Sequence, residues 1–432
     1  MTKEQLHLYP LTSSQREIWF DQMLHAEVPL YNIGGYVKIP GPINPALFEQ
    51  AINLLVQKHD ALRTVLTETK DEDGLPLQSF PEDLSVSVLV QDFSEHDDAE
   101  QAALAWIQTR FNEPFQLIGQ PLFRYDLVKT SEQCYYWLMQ YHHIIVDGYS
   151  IALFHRSLAT IYSQLVQGQQ PDLEAHSYTH YISDDRAYVE SDKFEAQHRY
   201  WLDKYPTAPD PLLSPRYRAH ITNNLAASGC EALYLPRDFY QQLEGLAKQH
   251  QVTLPHLLLA ALYVYFTRTA QRDDLTFGWP VLNRSNAQFR QTCGLFVGIS
   301  PILLSFDPDL NFAELLKQIQ KTLQANYRYQ RFPISELNRD IGLDKTGRSK
   351  LFDISLSYQN FDYDTEFNGV RSHFTLLWQA WEQTPLIIHV QDFHAQSDVK
   401  LDFVYIQSHL LHASRDSSLA KSIDDDFTGP IN

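Results

Sequence analysis

The chain has 432 residues, 44% of them hydrophobic and 20% charged, which is enough for two or three domain-sized cores and leaves no sign of long disordered regions. A net charge of −19 with no long Lys/Arg run argues against nucleic acid and anionic membrane as partners. No apolar stretch nears the ~20 residues of a membrane span, and Cys134, Cys230 and Cys293 are far apart and outside any CxxC pair. A soluble, cytoplasmic protein with buried free thiols is therefore expected, with neither a disulfide framework nor a thiolate metal site.

In chain order, Leu11 to Phe20 opens a helix: Thr12 and Gln15 make a capping box, and Ile18, Trp19 and Met23 supply an apolar face. Tyr31 to Ile39 reads as a strand. Asn44-Pro45 starts a second helix, with Leu47, Ala51, Leu54 and Leu55 facing inward, which ends near Lys58-His59-Asp60. Strands follow at Leu62 to Leu66 and Val86 to Val90, then a helix around Asp98 to Phe111 and a strand at Leu122 to Val128. Cys134 to Gln140 is aromatic and apolar without a breaker, a strand buried on at least one face.

The next ten residues, Tyr141-His142-His143-Ile144-Ile145-Val146-Asp147-Gly148-Tyr149-Ser150, form a strand-to-helix turn. Ser150 is the expected N-cap of a helix whose apolar positions are Leu153, Leu158, Ile161 and Leu165. Gly148 would let the backbone adopt a conformation that a Cβ forbids. The polar run Gln167 to Asp172 ends a first lobe, residues 1–172.

The second half opens with a long polar helix, Asp184 to Lys204, and a loop containing Pro206, Pro209, Pro211 and Pro215. Helices follow at Pro236 to His250 and Leu254 to Tyr265, the latter apolar enough to be buried. Thr276 to Val281 is a strand, Asn283 to Asn286 a polar loop, and Gly294 to Ile299 a strand again. The helix Phe312 to Tyr327 precedes strands at Leu351 to Tyr358, Phe374 to Trp378, Pro385 to Val390 and Val399 to Tyr405. Residues 173–415 make a second α/β (α+β) lobe like the first, and 416–432 a flexible acidic tail.

Adjacent histidines on extended chain point to opposite sides, so one of His142 and His143 faces any given cavity and the other is structural. On the residues alone, three readings of His142-His143 with Asp147-Gly148 stay open: a metal site, a structural pair, or general-base and proton-relay work by a neutral imidazole. Diverging histidines and the lack of a ligand-spaced cluster elsewhere disfavour the metal.

The His-His-xxx-Asp-Gly stretch resembles the active-site motif of the condensation domains of nonribosomal peptide synthetases, in the chloramphenicol-acetyltransferase-like superfamily. The resemblance runs along nearly the whole chain, in order. Leu11 to Gln15 with Trp19 and His59 to Thr64 are similar to the first two family motifs. Tyr178 to Tyr181 with Tyr200-Trp201, the Pro280 to Arg284 loop, Gly294 to Val297, Phe332-Pro333 and Leu351 to Asn360 follow.

The resemblance implies two lobes in a V around a central tunnel, and amide-bond formation between an acyl or aminoacyl thioester donor and an amine acceptor. It implies no cofactor bound by the domain itself: substrates ride on the phosphopantetheine of carrier proteins, and the domain is a monomer. It makes His143 the catalytic histidine and His142 structural. Asp147 would pair with Arg284, with Arg63 in a supporting role, and Gly148 would leave room for the pantetheine arm. Tyr149, Trp201, Phe296, Gly298 and Ser300 would line the tunnel.

The chain departs from the family at Gly298-Ile299-Ser300-Pro301, where Asn-Thr-Leu-Pro is usual, and at Leu304, where arginine is common; a starter-type or fatty-acyl donor, or a free acceptor, would suit the change. The tail, with Asp424-Asp425-Asp426, would suit docking to another synthetase subunit. The competing functions are an epimerization domain, a CoA-dependent acyltransferase, and a silent recruitment domain. The intact motif residues argue against the last.

Overall fold

The structure is a computed structural model that describes residues 7–213, 225–363 and 365–407. Pro215 and the tail at 416–432 lie outside the described residues. Among the described residues there are ten helices: α1 (Ser13–Leu24), α2 (Pro45–Lys58), α3 (Ala99–Phe111), α4 (Gly148–Val166), α5 (Thr179–Val189), α6 (Asp192–Lys204), α7 (Arg237–Gln249), α8 (Leu254–Ala270), α9 (Phe312–Tyr327) and α10 (Ile334–Asp340).

The breaker-free run Cys134–His142 is the central strand of a five-stranded sheet. It pairs antiparallel with Asn32–Ile39 on one side and Phe123–Ser131 on the other. Its lack of polar alternation follows from burial on both faces. Trp137, Met139 and Tyr141 pack with residues of α2 and α4, while Tyr136 and Leu138 pack with α3. Each such fully buried side chain contributes about 1.5–3 kcal/mol.

The second sheet has seven strands in the order Trp381–Glu382, Ala226–Leu235, Val399–Ile406, Leu386–Gln391, Ile354–Gln359, Asp274–Val281, Gly298–Ser305. Its apolar face, including Phe277, Ile302, Leu356 and Ile388, packs on α7, α8 and α9. The strand His373–Leu376 crosses back and pairs with Asn32–Ile39 as the edge of the first sheet. Tyr363, Phe367, Phe374 and Phe393 join the core of the first half. That sheet is thus not built from residues 1–172 alone.

Several sequence expectations are corrected here. In α1 Ile18 and Trp19 pack on the core as expected, but Met23 is exposed, as is Phe20, and the buried residues are the polar Ser14, Gln15 and Gln22, the two glutamines hydrogen-bonding the 142–144 turn. The polar stretch 184–204 is two helices, broken where Ser191 accepts the N–H of Phe194 and caps α6. Residues 60–63 form a 3-10 turn before a strand Val65–Lys70, and the strand at Leu89–Asp92 begins later than Val86. Residues 294–297 are irregular, since the N–H groups of Phe296 and Val297 bond a carboxylate rather than a neighbouring strand. The cysteines are free, but only Cys293 is buried; Cys230 is exposed.

Candidate active site

The central strand ends at His142, and one 3-10 turn, His143–Ile145, carries the chain toward α4. The cap of α4 is Asp147 rather than Ser150: Asp147 Oδ1 accepts the N–H and the hydroxyl of Ser150, both at 2.9 Å. Gly148 has no left-handed φ; what its missing side chain provides is space, for a Cβ there would sit 3.3 Å from the ring of Phe361.

Arg284, from the loop after strand Asp274–Val281, grips Asp147 with both terminal nitrogens, Nη1 to Oδ2 at 2.7 Å and Nη2 to Oδ1 at 3.0 Å. Oδ2 also accepts the N–H of Phe296 at 3.1 Å and of Val297 at 3.3 Å. The guanidinium lies over the rings of Tyr149, at 4.6 Å, and Phe296, at 4.1 Å. Side-chain exposure is 2% for Arg284 and 1% for Asp147, so the pair is out of water. Burial would raise the Asp147 pKa, but the charge and hydrogen bonds of Arg284, with the N–H groups of Ser150 and Phe296, hold it below the ordinary carboxylate value.

The two histidines diverge. His142 is buried, its Nδ1 accepting the N–H of Ile144 at 3.2 Å and its Nε2 facing Gln22 Oε1 at 3.2 Å. Desolvation, with His143 beside it, lowers its pKa to about 3. His143 is half-buried; its N–H bonds the carbonyl of Tyr31 at 2.7 Å, and its Nδ1 is sealed without a hydrogen-bond partner. Desolvation lowers its pKa too, opposed by the nearby carbonyls of its own residue and Val146 and by Asp147. His143 is therefore a neutral ring at pH 7.

Other expected residues fall elsewhere. Arg63 is not in the Asp147 network: the end of its 3-10 turn points it to the carbonyl of Pro81 at 3.4 Å. Trp201, 1% exposed, does not line an opening; it sits in a core with Phe332, Leu337 and Phe352 and donates to the carbonyl of Tyr329. Phe296, fully buried among Tyr178, Tyr181 and Phe289, is the floor under Arg284. Ser300 is buried with an unpartnered hydroxyl. Tyr149 is half-buried against Phe361. Gly298 lines a small cleft together with Ser13, Glu17, Asn283 and Arg331.

Sequence reasoning missed Ser150 as a member of the ion-pair network, where its Oγ accepts from Arg284 Nη2 at 2.8 Å and from the N–H of Gly294 at 3.0 Å. It also missed Gln22 and the bond from Gln15 to Ile144, having read Gln15 only as the capping-box partner of Thr12, a role it keeps; the signal was two glutamines two helical turns apart in an otherwise weakly amphipathic helix. Among the described residues no three His, Cys, Asp or Glu are grouped to hold a metal, and no helix is long and apolar enough to cross a membrane.

Two sheets flanked by helices, with a half-buried histidine at the end of a central strand and a carboxylate locked to an arginine from the other half, define a chloramphenicol-acetyltransferase-like protein. Residues 5–407 match the family described as Condensation domain, and the chain belongs to that family, the amide-bond-forming acyltransferases of nonribosomal peptide synthetases.

Similar proteins include the dimodular nonribosomal peptide synthase of Bacillus subtilis (strain 168), 28% identical over 94% of this chain, and surfactin synthase subunit 1 of the same organism, 26% identical over 93%. The chain spans only 17% and 11% of those multi-domain relatives. Among solved structures, the starter condensation domain of rhizomide synthetase in complex with C8-CoA is 28% identical with a TM-score of 0.82, covering 94% of this chain and 90% of that one. The first condensation domain of the calcium-dependent antibiotic synthetase shares the fold at 21% identity and a TM-score of 0.82, covering 98% and 95%.

Proposed function

We propose that this chain joins an acyl group, held as a thioester on the phosphopantetheine arm of a carrier protein, to the amine of an acceptor, acting as a monomer within a cytoplasmic synthetase. The amine nitrogen attacks the thioester carbonyl, the carbon–sulfur bond breaks, and the thiol leaves with the proton the amine gives up. The observation that carries this is the His143 turn: a neutral, half-buried imidazole beside a helix cap fixed by the Asp147–Arg284 pair.

A base whose pKa is held down by burial is a weak proton acceptor, so His143 serves mainly to position the amine and stabilise the tetrahedral intermediate, with proximity supplying most of the acceleration. Asp147 does not touch substrate, since each of its oxygens already accepts several hydrogen bonds. It acts with Arg284 and Gly148 to aim the turn.

The donor we favour is a starter-type acyl group. The rhizomide neighbour is itself a starter condensation domain held with C8-CoA, and Gly298 stands here where the family pattern has asparagine.

The test is mass spectrometry of products from the purified chain given acyl-loaded and aminoacyl-loaded carrier proteins, octanoyl-CoA and a panel of free amines. An amide that disappears in His143→Ala is expected. Deuterium exchange at Cα of a single aminoacyl carrier protein, without amide, would instead make this an epimerization domain.

A further inference from the structure

Helix α1 holds the turn that carries His143 at the residues on either side of it, His142 and Ile144. Gln22 Nε2 donates to the carbonyls of His25 at 2.8 Å and Val28 at 3.0 Å, which orients its amide one way, with Oε1 toward His142. An acceptor at that position requires His142 Nε2, 3.2 Å away, to carry the ring proton. Nδ1 is then a bare lone pair, as it must be to accept the N–H of Ile144. The carbonyl of the same Ile144 accepts Gln15 Nε2 at 3.0 Å, and Gln15 is locked to Gln78 by a reciprocal amide pair of 2.9 and 2.8 Å. Between these two anchors His143 bonds the Tyr31 carbonyl, and the Tyr31 hydroxyl bonds Asp21 of the same helix. Gln15 and Gln22 are both buried and lie two turns apart on one face.

We propose that Gln22 is a positioning residue for the condensation reaction: it fixes the proton of His142 on Nε2 and thereby the hydrogen bond to Ile144 that aims the His143 ring, while Gln15 holds the carbonyl of Ile144. This rests on the reading of His143 as the group that meets the amine. A merely structural glutamine would change the melting temperature and leave the titration of His143 alone.

The titratable and charged groups around the pair are the two histidines themselves, Asp147, Tyr31 with Asp21 on its hydroxyl, and Arg124, whose guanidinium covers the Phe115 ring that edges onto His142. Gln22→Glu adds a charge to this set at the one atom that reads the His142 proton.

The experiment is imidazole ¹⁵N NMR of histidine-labelled chain, with His142 and His143 assigned through His142→Phe and His143→Ala. Wild type shows His142 neutral and protonated on Nε2 across roughly pH 5 to 8. In Gln22→Glu the carboxylate draws a proton onto His142, Nδ1 turns from acceptor to donor, and the His143 midpoint moves by about one pH unit. In Gln22→Met the His142 tautomers mix. With octanoyl-CoA and a leucyl thioester of N-acetylcysteamine as probe pair, kcat falls ~10-fold at unchanged KM. If Gln22→Met does not fold, Gln15→Met, which frees the Ile144 carbonyl, is expected to move the His143 midpoint in its place. The proposal is overturned if the folded variants keep the wild-type His142 tautomer and His143 titration and differ only in melting. A wild-type chain inert toward the probe pair would count against the proposed substrates, and the NMR arms would still decide the role of Gln22.

Discussion

Asp147 accepts from the N–H and hydroxyl of Ser150, from two nitrogens of Arg284 and from two backbone N–H groups, so no lone pair is left over for a ligand. Removing either charge strands the other out of water. Asp147→Ala and Arg284→Ala should each cost about 3–5 kcal/mol in urea unfolding, and the double variant clearly less than their sum. Additive costs would mean that the two residues are stabilised independently. Because the folded pKa of Asp147 lies below its unfolded value, the stabilisation is fully present above the ordinary carboxylate pKa and is lost only as pH falls through the lower, folded one. At this scale the chain is half legible. The residue types for an ion pair can be read from a sequence, but only the motif resemblance, not the residues themselves, separates Arg284 from Arg63 there. Which one arrives at Asp147 depends on how a turn 137 positions away packs. Trp201 and Phe296 show the same limit, since an aromatic ring reads identically whether it lines an opening or fills a core.

Among the elements, the loop 294–297 carries the backbone that reaches Asp147, and Gly294 is its constraint. With φ at +153°, a Cβ would lie 2.1 Å from Tyr178 Cδ2. Gly294→Ala should therefore lower stability by about 3 kcal/mol, read as a fall in melting temperature, and carry the Phe296 N–H away from Asp147. Helix α4 offers a pH test. His155 is buried between Trp137 and Tyr363, its Nε2 3.1 Å from Thr365 Oγ1, and desolvation lowers its pKa to about 3. His59 and His142 are lowered to about the same value by burial. Each takes a proton on unfolding between its folded pKa and ~6.5, so stability drops as pH falls through that window, by up to ~1.4 kcal/mol per unit for each histidine. Asp126 and Asp185, raised by burial, act in the opposite sense. His155→Phe isolates one group, and urea midpoints at roughly pH 4 to 6 should show a slope shallower by that amount. An unchanged slope would mean that His155 does not stay neutral when folded. Helix positions were mostly readable from spacing and caps. What spacing could not tell was that α1 buries Gln15 and Gln22, because the turn they grip lies more than a hundred residues away.

For the whole molecule, the division after residue 172 rests on a turn-rich run alone, and the first sheet is completed by His373–Leu376 and its core by Tyr363, Phe367, Phe374 and Phe393. No periodicity could announce this: a strand of four residues does not say which sheet it joins. A fragment of residues 1–172 should expose the ground those aromatics cover, bind a hydrophobic dye and aggregate, whereas the full chain does not. A monomeric fragment with native near-ultraviolet dichroism would show that the crossing strand is dispensable.

The Asp147–Arg284 bridge has a consequence for recombination. Each residue is useless without the other, and they lie 137 positions apart on either side of residue 172, so a chimera joining the first half of one relative to the second half of another inherits a working lock only if both parents supply it. The crossing strand adds a second clause, because its Phe374 must fit beside the His155 and Tyr363 of whichever parent it meets. A seam placed after Leu376 keeps both matings within one parent, and one placed at residue 172 divides them between two.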